Sequence, residues 1–191
     1  MLIFVSGAVR SGKSTAAERL VERLRDSHSR CVYIATGQIT DEEMRERVKL
    51  HQEEREQSAV EWKTIESGRN LQEVVSHLMK EDVVLLDCAT NWLANELFVS
   101  HDAWEDTEFQ QKTIKSMKQA VKEINERVDH LVVVSNDLFE GGLLPGPTFI
   151  YVKLLGMFHQ WLVQEADVAM KAEAGKMVIK KDVWKNGWEE E

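Results

Sequence analysis

An apolar run, Leu2-Ile3-Phe4-Val5, passes through Ser6 into Gly7-Ala8-Val9-Arg10-Ser11-Gly12-Lys13-Ser14, a full match to the spacing GxxxxGK[ST]. The run reads as a strand buried on both faces. After Ser14, Ala17, Leu20, Val21 and Leu24 recur at helical spacing. A strand, a glycine-bearing turn and a helix in that order form a phosphate-binding loop. Gly7 and Gly12 permit backbone conformations that a Cβ would block, so that successive N–H groups can wrap around phosphate oxygens. Lys13 brings a point charge to the β and γ phosphates, the Ser14 hydroxyl can ligate Mg²⁺, and the following helix aims its positive end at the same anion. The expected ligand is a nucleoside triphosphate with Mg²⁺. The loop says neither which base it carries nor where the phosphate goes.

The rest of the chain repeats the strand–helix alternation. Further apolar runs lie at Cys31–Thr36, Val83–Asp87 and Leu131–Ser135, with a weaker one at Met177–Lys180. Helical stripes separate them: Leu71, Val74, Val75 and Leu78; then Ile114, Met117, Val121, Ile124 and Val128; then Leu154, Leu155, Phe158, Trp161 and Leu162. This pattern predicts an α/β fold of the P-loop NTPase (RecA-like) type, a mostly parallel sheet with helices on both faces. With 191 residues, no internal repeat and no low-complexity linker, residues 1–191 read as a single nucleotide-binding and transferase domain. The net charge of −9 argues against nucleic acid as a partner, because a phosphate backbone demands basic patches. It leaves room for a phosphorylated small molecule. Cys31 and Cys88 read as buried free thiols in a reducing compartment. No apolar stretch approaches a membrane span and no leader is evident, so the expected location is the cytoplasm without membrane insertion.

Ligands of open α/β sheets bind at the carboxyl ends of strands. Asp87 closes a strand after four apolar residues, where an acid can hold Mg²⁺ directly or through water; the bland reading is a turn Asp, with Thr90 and Asn91 capping the next helix. Between Asp41 and Gln57 lies a strongly charged helical stretch, with Thr40 and Glu43 set as a capping box. Met44, Val48, His51 and Arg55 follow at spacings of four, three and four, so His51 and Arg55 share the face that carries the buried contacts. A lone histidine there reads first as half-exposed, with no special chemistry.

Four segments in order change that reading: GAVRSGKS, YIATGQITDEEMRERVKLHQEER, WKTIE and VVLLDCATNWLANELF. Together they cover about the first hundred residues, and they resemble the bifunctional adenosylcobinamide kinase/adenosylcobinamide-phosphate guanylyltransferases of cobalamin biosynthesis. Arg47, Val48, His51 and Arg55 fall on the family's charged-helix pattern, Trp62, Thr64 and Glu66 on its W-x-T-x-E, and Leu85 to Leu97 on its strand–helix junction.

The resemblance implies two reactions at one nucleotide site. A triphosphate, ATP or GTP, phosphorylates the hydroxyl of the aminopropanol arm of adenosylcobinamide. GTP then guanylylates a histidine, and GMP passes to the new phosphate to give adenosyl-GDP-cobinamide. By the same resemblance His51 is the GMP acceptor and Lys13 the second catalytic residue. The implied nucleotide contacts are Gly7, Ala8, Val9, Arg10, Ser11, Gly12, Lys13, Ser14, Ala35, Thr36, Gly37, Gln52, Glu53, Glu54, Arg55, Glu66 and Asp87, with Ser14 and Asp87 on Mg²⁺. It further implies a corrinoid substrate and a homo-oligomer, with a trimer as the family habit. A neutral imidazole, with an unperturbed pKa of ~6.5, is a competent nucleophile near neutral pH, and Arg10 or Arg55 can clamp phosphate oxygens.

The family pattern breaks after the fourth run. Ser135-Asn136-Asp137-Leu138-Phe139-Glu140-Gly141-Gly142 shifts its glycines, the helix carrying Tyr151, Lys153 and His159 lacks both of its arginines, and the closing segment reads MKAEAGKMVIKK. These departures fall at the end assigned to the acceptor. Two other readings therefore stand beside the bifunctional one: a divergent member keeping only GTP binding or guanylyl transfer, and a nucleotide-binding protein without catalysis. In the tail, Trp184 and Trp188 stand four apart, a spacing that reads as packing. His28, His77, His101, His130 and His159 show no metal-ligand spacing.

Overall fold

The computed structural model describes residues 1–37, 60–139 and 145–183, together with 42, 45, 46, 49, 53, 55 and 58. A seven-stranded sheet carries the chain. Its strands are β1 (Leu2–Gly7), β2 (Arg30–Ala35), β3 (Trp62–Glu66), β4 (Asp82–Asp87), β5 (His130–Asn136), β6 (Val168–Glu173) and β7 (Lys176–Asp182). They lie in the order β3-β2-β4-β5-β1-β6-β7. Every pairing is parallel except β6 with β7, an antiparallel hairpin at one edge. The mostly parallel α/β architecture expected from the alternation is present.

The apolar strand runs are buried because each face of the sheet has its own core. On one face, helix α1 (Lys13–Leu24) lays Ala17, Leu20 and Val21 against Ile3, Val5, Val83, Leu85, Val132 and Val134. On the other, Leu2, Phe4, Val84, Leu86, Leu131 and Val133 meet α2 (Ala89–Leu97), α3 (Thr107–Arg127) and α4 (Pro147–Glu165). One continuous apolar run thus feeds both cores through its alternation. Aromatic rings fill the second layer: Phe158 stacks on Trp161 at 5.6 Å between centroids and takes the edge of Trp92 at 6.1 Å. Helix α3 begins where the Asp106 carboxylate accepts the N–H groups of Glu108 and Phe109. Helix α4 begins on Pro147, whose missing N–H costs nothing at the first position.

The stripe at residues 71–78 forms a 3₁₀ run, Leu71–His77, and not a full α-helix; Leu71 and Val74 are buried in it. Strands β3 and β6 had no counterpart among the expected runs. In the charged segment the described positions 42, 45, 46, 49, 53 and 55 are helical, as expected. Arg45 pairs with Glu42 at 2.6 Å and Lys49 with Glu53 at 3.6 Å on its exposed side. The capping box at Thr40 and Glu43, the stripe residues Met44 and Val48, and the tail tryptophans Trp184 and Trp188 lie outside the described residues. Cys31 and Cys88 are buried free thiols, both pushed up to about 11 by burial. Among the described residues no helix is long and apolar enough to cross a membrane, and no cluster of His, Cys, Asp and Glu is arranged to hold a metal by itself.

Candidate functional site

The loop between β1 and α1 sits at the carboxyl edge of the sheet, and its shape follows from its residues. Gly7 is packed so closely that a Cβ there would stand 2.6 Å from Ser11 Oγ and 2.9 Å from the Ala172 carbonyl oxygen on β6. Only glycine admits that approach. Gly12 has φ 80°, the left-handed region, and so caps α1 without a side chain. Arg10 also has positive φ, at 63°. A turn closes between the Ser11 N–H and the Ala8 carbonyl at 3.2 Å.

Three features make this loop a receptacle for an anion. Helix α1 has no acidic residue in its first turn and no side-chain cap, so its leading N–H groups and positive dipole end are left to an external partner. Lys13 is buried, with Nζ 3.3 Å from the Ala8 carbonyl oxygen, which folds its charge over the loop. The Ser11 hydroxyl is buried and has no hydrogen-bond partner, a costly state for a polar group unless a ligand satisfies it. Ser14 opens the helix beside Lys13 and is half-buried.

Asp87 ends β4, and β5 separates that strand from β1. Its carboxylate accepts a hydrogen bond from the Tyr33 hydroxyl at 3.0 Å. Burial pushes the Tyr33 phenol well above its ordinary pKa, with the Asp87 charge adding to the effect, so this bond keeps a fixed donor and acceptor. Behind it runs a buried chain of charge. The Arg55 guanidinium lies 3.9 Å from the centre of the Tyr33 ring and donates to Glu18 on α1 at 2.8 Å. Both partners are almost wholly buried. Arg55 thus ties the charged helical segment to α1 and to the strand end that carries Asp87. In this structure its guanidinium serves Glu18 and Tyr33, a neighbourhood that sequence spacing does not reveal, since Glu18 lies 37 positions away.

Next to Asp87, Thr36 is fully buried and its hydroxyl is committed to Cys88, donating to the carbonyl and accepting from the N–H, both at 2.8 Å. Asn95 on α2 donates to the carbonyls of Thr36 and Gly68, stitching together the loops that follow β2 and β3. Ala35 stands in register with both Glu66 and Asp87, so the three strand ends form one row; Glu66 and Gly37 are exposed there. Ala8 and Val9 lie on the exposed outside of the phosphate loop. Glu53 is exposed on the charged helical segment. His51, Gln52 and Glu54 lie outside the described residues.

Sequence reasoning missed a second polar seam on the opposite face. Ser135 on β5 joins the Thr90 hydroxyl at 2.9 Å and His159 Nε2 at 2.7 Å, all three buried. Thr90 accepts the Asn136 N–H at 2.7 Å, so it braces β5 instead of capping α2, whose N-cap is Cys88. Desolvation drives His159 down to about 4, only partly opposed by the charge of Asp137. His159 is therefore a neutral core histidine, as its place on a helical stripe led one to expect.

The family model described as cobinamide kinase / cobinamide phosphate guanyltransferase (CobU) matches residues 3–179. The chain is 35% identical over 133 residues to the bifunctional adenosylcobalamin biosynthesis protein CobU of Escherichia coli (strain K12), covering 69% of this chain and 66% of that protein. It is 38% identical over 99 residues to the protein of the same description from Salmonella typhimurium, covering 51% of each. The matched lengths thus span from about half to just under two thirds of these relatives. Among solved structures, an isolated ATPase domain superposes at TM-score 0.51 with 11% identity, covering 95% of this chain and 76% of that one. A protein from Pyrococcus horikoshii OT3 superposes at TM-score 0.52 with 12% identity, over 96% and 87%. Both are likenesses of fold.

Proposed function

We propose, for a chain that belongs to the cobinamide kinase / cobinamide phosphate guanyltransferase family, that it phosphorylates the aminopropanol hydroxyl of adenosylcobinamide and then transfers GMP from GTP to the new phosphate. The observation that carries this reading is the Gly7–Ser14 loop. Its unsatisfied Ser11 hydroxyl, uncapped helix start and folded-in Lys13 are what a triphosphate would complete.

In the first reaction the hydroxyl oxygen attacks the γ-phosphorus, the bond to the β,γ-bridging oxygen breaks, and a nucleoside diphosphate leaves. The loop N–H groups and Lys13 hold the charge that builds on the β and γ oxygens. In the second, His51 attacks the α-phosphorus of GTP and expels pyrophosphate; the corrinoid phosphate then takes GMP from the histidine. Arg10 stands on the loop to bind phosphate oxygens. The role of Arg55 is to hold the charged helical segment against α1 through Glu18.

The donor set at this edge fits Mg²⁺, which takes oxygen ligands: the Ser14 hydroxyl and the Asp87 carboxylate are the two protein groups that would hold it. Bound there, it would neutralise phosphate charge. Tyr33, bonded to Asp87, fixes the orientation of that carboxylate. Ala35, Thr36, Gly37 and Glu66, at the ends of β2 and β3, are placed to meet the nucleoside, with Gln52, Glu53 and Glu54 on the charged segment. The homo-oligomeric state belongs to the same reading and is checked by sedimentation.

The direct test supplies the protein with adenosylcobinamide, Mg²⁺ and γ-labelled ATP or GTP, then α-labelled GTP. Label should appear in the corrinoid from both nucleotides in succession. A protein that binds GTP and labels no corrinoid from either would refute the reading.

A further inference from the structure

We propose that Asp137, held by Lys171, is the base that takes the proton from the acceptor hydroxyl in the phosphorylation step; this rests on the kinase reading above. The sheet order places β5 between the strand that ends in Asp87 and the strand that opens the phosphate loop. Asn136, the last residue of β5, stands in register with Gly7, and the Asp137 N–H donates to the Gly7 carbonyl at 2.8 Å. The Asp137 carboxylate is thus fixed by its own backbone to the first residue of the loop, on the side that faces Asp87.

Its surroundings suit a base better than a metal ligand. Asp137 Oδ2 lies 3.5 Å from Lys171 Nζ, which also pairs with Glu173 at 3.4 Å. Oδ1 accepts the Phe139 N–H at 3.4 Å. Lys171 comes from β6, in register with Ser6 at the end of β1. A flanking ammonium orients the carboxylate while leaving lone pairs to a hydroxyl. Of the other carboxylates on this edge, Asp87 is engaged by Tyr33, and Glu66 is on β3 at the far end of the sheet.

Strand alternation gives the direction of approach. Val133 and Ser135 project to the face covered by α2 and α4, and Asp137 continues that parity. On the same face an open cavity of about 690 Å³ is lined by Phe98, His101, Trp104 and Tyr151. The Tyr151 hydroxyl donates to the Thr90 carbonyl at 3.0 Å, and the Thr90 side chain takes the Asn136 N–H, so the cavity wall and the Asp137 backbone are joined through one residue. An alcohol arriving from this side meets Asp137 before it meets the γ-phosphate. Its oxygen forms the bond to phosphorus, its proton passes to the Asp137 carboxylate, and the nucleoside diphosphate departs.

The test compares wild type with Asp137→Asn, Asp137→Glu and Lys171→Met in the full chain. Three readouts are taken: GTP affinity, covalent guanylylation from α-labelled GTP, and phosphorylation of adenosylcobinamide from γ-labelled nucleotide. Asp137→Asn should lower kcat for phosphorylation by about 10²- to 10³-fold, with nucleotide affinity, KM and guanylylation within about twofold of wild type. Asp137→Glu should recover at least tenfold of that loss, and Lys171→Met should cost roughly tenfold in kcat. Unchanged phosphorylation in Asp137→Asn would overturn the assignment. So would a parallel fall in GTP affinity and guanylylation, since Asp137 would then only brace the loop. A wild type that binds GTP and never phosphorylates the alcohol would overturn the kinase reading, and this inference with it.

Discussion

Replacing Glu18 or Arg55 separates a structural role for this ion pair from a phosphate-clamping one. The Arg55 and Glu18 side chains are 7% and 9% exposed and 2.8 Å apart, so solvent screening is small and removing one partner leaves the other charged and buried. That imbalance costs about 3–5 kcal/mol. Glu18→Leu and Arg55→Met should each fall in this range, and Arg55→Met should lose a further ~0.5–2 kcal/mol because the guanidinium also lies over the Tyr33 ring. Combining the two substitutions removes both charges together, and the double variant should regain most of the loss, ending within about 1–2 kcal/mol of wild type. With a urea m-value of ~3 kcal/mol/M, each single substitution moves the midpoint down by roughly 1–2 M, and the double by less than about 0.7 M. The assay is urea unfolding followed by tryptophan fluorescence, with GTP affinity measured on each folded variant. Singles costing under about 1 kcal/mol, or additive effects in the double, would refute the account of a buried coupled pair. A double variant that is stable yet has lost GTP binding would show that the guanidinium acts on the nucleotide.

Gly7→Ala should destabilise the fold by about 1–3 kcal/mol and weaken GTP binding at least tenfold, because the new methyl collides with Ser11 and the Ala172 backbone; calorimetry and nucleotide titration read both. Asp82→Ala breaks a two-pronged pair in which Arg30 Nε and Nη2 reach a fully buried carboxylate at 2.9 and 2.7 Å. It should cost about 3–5 kcal/mol in urea unfolding. His159 has a folded-state pKa of about 4 against 6.5 for the free side chain, so the unfolded chain binds more protons between those values. Its contribution is fully present above about pH 6.5 and is lost as pH falls towards 4, on the order of 3 kcal/mol at most. The slope of stability against pH in that window should flatten in His159→Gln.

The sequence showed the parts of the fold that depend on local pattern. Continuous apolar runs marked β1, β2, β4 and β5, because each is buried on both faces and needs no polar alternation. β3 left no such mark: Lys63, Thr64 and Glu66 are exposed on an edge strand with one neighbour, so its composition is that of a loop. β6 was hidden because only Val168 and Met170 contribute to the α1-side core, while Lys171 and Glu173 turn to the site and to solvent. The phosphate loop was legible because its chemistry is contiguous. The Glu18–Arg55–Tyr33–Asp87 chain and the Asp137–Lys171 pair were not, since each joins residues from different strands and helices that only the sheet order brings together.

The account rests most heavily on a nucleotide in the Gly7–Ser14 loop reacting with an imidazole of the charged segment. Intact-mass analysis of the protein after GTP and Mg²⁺ should show one added GMP, released by acid and retained at high pH, and peptide mapping should place it on His51. Absence of the adduct in wild type, or the same adduct in His51→Ala, would contradict it.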